Sequence, residues 1–245
     1  MTQKEQDKRI LELEELLIQN GIIEKPQELI PTYSFSKIGE SKLQELFDIR
    51  LEFDKSRFNT WFNYNYQIPK DDIDFLSALL DKFSSVIYRF KEESLKVLFI
   101  SQILNRVDFF SLEHRYTGLY DEPLIYKTDE FILNGETDFT FAKGVAKCEK
   151  PYFFIQEFKQ EKGYSEPEYQ LLAELISAVE LNSQTIMKGA YIKGTIWRFV
   201  ILERLDRHKY RYFVSINFDS TKLDDLKAIY KNLIFIKNEV LDREF

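Results

Sequence analysis

Asp138, Glu157 and Lys159 are the residues of this chain whose types and spacing could do chemistry. Asp138 lies in the strand-like run "GETDFTF". Nineteen residues later Glu157, with Lys159, closes the apolar run "PYFFIQEFK". Side chains alternate across a strand, so residues two apart share a face. Glu157 and Lys159 therefore point the same way, at the end of a strand whose Phe153, Phe154 and Ile155 demand burial. In open α/β sheets ligands sit outside the carboxyl ends of the strands. If the Asp138 strand pairs with this one, two carboxylates meet there and repel unless a cation lies between them. Hard oxygen ligands favour Mg²⁺ or Mn²⁺, and the Phe158 carbonyl could supply a third oxygen. Lys159 beside such an ion could orient or deprotonate a water, or stabilise a pentavalent phosphorus.

The elements that must position these groups follow from periodicity. "PLIYKTDEFILNGETDFTF" reads as a hairpin turning at Asn134-Gly135, because Asn-Gly accepts the positive φ of a type I′ turn. "YFFIQEFK" is a third strand. "EPEYQLLAELISAVELN" is a helix with Pro167 in its first turn and Leu171, Leu175, Ile176 and Val179 on its apolar stripe. Three more strands and a helix from about Lys222 to Val240 complete the chain. Upstream, helices are expected over residues 4–20 and 40–54. Two further helices run through "IDFLSALLDKFSSVIYRF" and "EESLKVLFISQILNRV", the first capped by Asp71 or Asp72. "RFNTWFNYNYQIPKDD" reads as a packed aromatic connection; stacking on bases is the functional alternative. After residue 70 the order is α-α-β-β-β-α-β-β-β-α, a mixed sheet flanked by helices.

An acid on a hairpin strand, Glu-x-Lys on the next and a Gln on the following helix resembles the PD-(D/E)XK, or restriction-endonuclease-like, nuclease superfamily. Asp138 matches the first acid, Glu157-Phe158-Lys159 the Glu-x-Lys, and Gln170 in "EYQLLAEL" the helix position. The resemblance covers roughly residues 75–220, with Thr137 where many members carry Pro. It implies a restriction-endonuclease-like domain over 71–245 behind a helical N-terminal extension over 1–70. It further implies phosphodiester hydrolysis, in DNA, with Mg²⁺ (or Mn²⁺) held by Asp138 and Glu157. Lys159 and Gln170 would complete the catalytic set. A further acid from the preceding helix is usual; among Glu92, Glu93 and Glu113, Glu93 is chosen because it begins the nearest strongly periodic helix. The rival class is the same fold kept as a binding or assembly module, and RNA stays open as the substrate.

Composition bounds these readings. The chain has 245 residues, 44% hydrophobic and 31% charged, enough for a sizeable core. Its net charge of −7 is a mild argument against a nucleic-acid partner. The charge is uneven, however: Lys188, Lys193, Arg198, Arg204 and Arg207 lie with Lys209 and Arg211 in one stretch against only Glu203 and Asp206. This is the expected phosphate-binding surface, its ordinary alternative being a solvated face of the sheet. Cys148, the single cysteine, excludes a disulfide framework and reads as a bystander thiol. His114 and His208 suggest neither a metal site nor a triad. With no signal-like or membrane-spanning run the expected location is cytoplasmic, without a membrane partner; a homodimer is left open.

Overall fold

The computed structural model describes residues 30–159 and 166–241, together with Arg9 and Leu13, which are helical. The helix expected over 4–20 otherwise lies outside the described residues. The chain divides into compact units Met1–Pro31 and Thr32–Phe245. The second is an α/β unit whose central mixed sheet carries helices on both faces.

Among the described residues ten strands form one sheet. In chain order they are β1 (Thr32–Ser34), β2 (Asp48–Leu51), β3 (Phe110–Ser111), β4 (Tyr116–Lys127), β5 (Ile132–Gly144), β6 (Cys148–Lys159), β7 (Ile186–Lys193), β8 (Ile196–Asp206), β9 (Lys209–Val214) and β10 (Phe218–Asp219). The spatial order is β2-β9-β8-β7-β6-β5-β4-β3, with β1 on β5 and β10 on β8. β4, β5 and β6 are an antiparallel meander. The chain then crosses over through a helix, so β7 runs parallel to β6, as parallel neighbours require.

The helices are α1 (Glu40–Leu46), α2 (Asn59–Phe62), α3 (Lys70–Phe83), α4 (92–107), α5 (Pro167–Asn182) and α6 (Leu223–Leu241). Phe154 and Phe158 of β6 face the core built with α3, α4 and α6, among them Leu76, Phe99, Ile229 and Leu233. Ile155 faces the opposite core under α5, with Leu171, Leu175 and Ile176. The run "FFIQEFK" is thus split between two cores, each buried large side chain contributing roughly 1.5–3 kcal/mol.

Four sequence expectations change. The stretch 32–70 is no separate extension: β1 and β2 join the sheet. Phe35, Ile38 and Leu43 cover α5, so that helix is buried well beyond its predicted stripe, Leu172, Ala173 and Ala178 included. The expected helix over 40–54 stops at Leu46, because Asp48–Leu51 pairs with β9 instead. The hairpin turn falls at 128–131, where the Thr128 hydroxyl accepts the N–H groups of Glu130 and Phe131. Asn134-Gly135 lies inside β5, opposite Ile125 and Leu124. A Cβ on Gly135 would stand 2.8 Å from the Phe35 ring, so this glycine serves a close approach, not a turn. Neither Asp71 nor Asp72 caps α3, which starts after Pro69; Asp72 accepts from Arg106 and Tyr230 instead. The aromatic connection does pack: Trp61 is buried against Phe154, Phe199 and Phe235.

Candidate active site at the carboxyl ends of two parallel strands

β6 and β7 end side by side, Glu157 in register with Tyr191 and Lys159 with Lys193. On the other side of β6 the ladder to β5 runs to Phe139↔Gln156. Beyond it the Phe158 N–H donates to Asp138 Oδ2 at 2.7 Å. N–H and C=O of one strand residue leave on the same side, so the Phe158 carbonyl also looks toward Asp138. Strand pairing therefore gives way to a carboxylate where the two strands part.

Lys159 is the centre of the cluster. Its Nζ lies 2.5 Å from Glu157 Oε1, 3.8 Å from Asp138 Oδ2 and 3.5 Å from Glu92 Oε1. Asp138, Glu157 and Lys159 thus converge, Asp138 arriving through the pairing of β5 with β6. The acid that α4 brings to Lys159 is Glu92, not Glu93, which is exposed and acts on Lys96 through its charge. Residues four apart share a helix face, so Glu92 and Lys96 reach the site together while Glu93 is turned away. Glu113 is exposed in the turn before β4.

Three groups at the site escaped the sequence reading. Lys96 is buried and contacts Asp121 Oδ1 at 2.5 Å and Asp138 Oδ1 at 3.7 Å. Asp121 stands on β4 opposite Asp138 of β5 with φ 55°, between the paired positions Tyr120↔Phe139 and Glu122↔Thr137. Glu174 is fully buried on α5, and Gln170 Nε2 donates to its Oε1 at 3.1 Å. The available signal was a charge inside an apolar run, "LKVLF" and "LLAEL", each four residues after a polar candidate.

The electrostatics follow from crowding. Burial, then the neighbouring Glu174 and Asp138 carboxylates, hold Glu157 well above the usual carboxylate range, against the pull of Lys159. Burial also pushes Glu174 up to about 8, against the Gln170 hydrogen bond. For Lys159 burial acts against the ammonium, but the charge of and hydrogen bond to Glu157 outweigh it, so its pKa is raised. Glu157 Oε2 and Glu174 Oε2 are buried with no partner among the other side chains, and the two carboxyls lie within hydrogen-bond reach of each other. Among the described residues no three His, Cys, Asp or Glu side chains are arranged as a metal cage; the two ammonium groups stand between the acids.

The basic stretch is divided by the sheet. Lys193 and Arg198 share the face and end of the sheet that carry Glu157, around a cleft of about 390 Å³ lined also by Glu166, Glu168, Tyr191 and Asn217. Arg204 pairs with Glu180 at the far end of α5. Lys188 projects from the opposite face, onto Glu239 and the rings of Trp61 and Phe235. Arg207 lies in the β8–β9 turn near Glu130. Only two of the five predicted phosphate contacts therefore stand near the site. His208 packs on Phe47 and Phe131, and His114 stacks on Tyr116. The Cys148 thiol is pushed up to about 12 by burial and by Glu122, which removes thiolate reactivity.

No protein-family model matches the chain, and no curated protein matches it. Among the described residues no helix is long and apolar enough to cross a membrane.

Proposed function

We propose that the chain is a metal-dependent nuclease with a restriction-endonuclease-like fold that hydrolyses phosphodiester bonds in DNA. The observation that carries this reading is the convergence of Asp138 and Glu157 on Lys159 beside the parallel β6–β7 pair. The order helix, three-stranded meander, helix, parallel strand supports it.

The donor chemistry fits a hard divalent cation, Mg²⁺ or Mn²⁺. Glu157 and Glu174 keep buried oxygens with no partner beyond each other's carboxyl, and a cation would relieve the crowding that raises Glu157. Asp138, Glu157 and the Phe158 carbonyl would hold it. Once bound, the ion would polarise a phosphoryl oxygen and acidify the attacking water. Lys159, released from its carboxylates, would orient that water and offset charge on the phosphoryl group. Gln170, fixed by Glu174, would position the site from α5. Lys193 and Arg198 would take the neighbouring phosphates.

The test is a panel of labelled single- and double-stranded DNA and RNA with Mg²⁺, Mn²⁺, Ca²⁺ or chelator. Wild type should cleave DNA with Mg²⁺ or Mn²⁺, and Ca²⁺ should support binding with little turnover. Lys159→Ala should keep metal binding and lose roughly 100- to 1000-fold in rate; Asp138→Ala should lose both. Equal cleavage by wild type and Lys159→Ala would overturn the assignment. A wild type that binds DNA and metal but cuts no substrate would favour a binding module.

A further inference from the structure

We infer that Lys96, anchored on Asp121, is a resident counter-ion of Asp138, a positioning residue whose charge a divalent cation must overcome to bind Asp138; this rests on the reading of Asp138 as a metal ligand. Five residues within α4, Lys96–Ile100, are wound as a π-helix. A π turn is rare, shifts the phase of the helix and recurs at functional sites. This one is bridged by side chains: the Val97 carbonyl accepts from Ser101 Oγ at 2.8 Å and from Gln102 Nε2 at 3.2 Å. The residue at the head of the turn is Lys96, whose side chain is only 10% exposed. An ammonium this buried persists only where carboxylates compensate it, and here there are two.

Their geometry divides the labour. Asp138 turns Oδ2 to the Phe158 N–H and Lys159, and Oδ1 to Lys96 at 3.7 Å. Asp121 holds the same ammonium more closely, at 2.5 Å, from a left-handed backbone position that few non-glycine residues adopt. The other groups acting on Lys96 are the charge of Glu93 and the Tyr120 ring, 5.7 Å from Nζ. A cation approaching Asp138 therefore meets a positive charge already in place. Asp121 gives that charge somewhere to stay when the cation arrives.

The probe is Mn²⁺, titrated against the full chain with the free ion followed by electron paramagnetic resonance, and melting curves as a fold control. Lys96→Met should bind Mn²⁺ on the order of tenfold more tightly than wild type, the scale on which one nearby charge shifts a carboxylate. Lys96→Arg, which keeps the charge, should stay near wild type. If Lys96→Met does not fold, Asp121→Asn answers instead: with its anchor gone Lys96 leans on Asp138, and Mn²⁺ binding should weaken severalfold. Unchanged or weaker Mn²⁺ binding by a folded Lys96→Met, while Asp138→Ala abolishes binding, overturns the role of Lys96 and leaves the metal reading intact. A wild type that takes no Mn²⁺, or takes it equally well as Asp138→Ala, overturns both.

Discussion

A fully buried carboxyl on the sheet-facing side of a helix is costly unless it stays protonated or meets a cation. Glu174 is such a group, with its carboxyl pushed up to about 8, burial being the main cause. A folded-state value above the unfolded one means that the folded chain holds the proton more tightly. The stability linked to it is complete below the unfolded value near 4.5 and is lost as pH rises through about 8. In chelator, the melting temperature of wild type should fall from pH 5 to pH 8.5. Glu174→Gln should flatten that fall and melt higher at the alkaline end. A Glu174→Gln profile as steep as wild type would assign the pH dependence elsewhere. Glu157 pushes in the same direction, so the variant should flatten the curve without levelling it.

At the scale of elements, the site depends on how closely α5 lies on the sheet, because α5 carries both Gln170 and Glu174. Gly189 of β7 sets that distance. A Cβ there would stand 2.8 Å from the Ile155 carbonyl and 2.9 Å from Leu175 Cδ2, one of them backbone. Gly189→Ala should destabilise the fold by roughly 1–3 kcal/mol, the usual cost of overpacking, read from urea unfolding. The same shift should weaken Mn²⁺ binding by moving Glu174 against the ligand Glu157. A variant as stable as wild type would mean that helix and sheet can separate there at no cost.

Across the whole molecule, net charge is negative, so the proposed nucleic-acid binding would have to rely on a local surface. The sheet decides which basic residues belong to it. Lys193→Glu with Arg198→Glu should weaken oligonucleotide binding and lower the salt slope by about one per lost phosphate contact. Arg207→Glu, in an exposed turn away from that face, should leave both unchanged in the same binding titration at several salt concentrations. Equal losses from the two variants would point to diffuse charge attraction rather than a defined face.

Local pattern was enough for much of this. Side-chain alternation along "PYFFIQEFK" put Glu157 and Lys159 on one face, and the periodicity of the helices from α3 onward gave their number and order, because these signals repeat over a few residues. The aromatic connection around Trp61 was likewise legible as packing. Tertiary structure decided the rest. Asn134-Gly135 carries a turn signal, yet strand register carried it into β5 and Thr128 made the turn. Glu40–Leu46 could have continued as a helix, but the free edge of β9 took the next residues as β2. Glu92, Lys96, Asp121 and Glu174 joined the site through a π turn, a left-handed residue and the packing of α5. Which charge meets which is set by contacts between residues far apart in the chain, and local spacing carries no record of them.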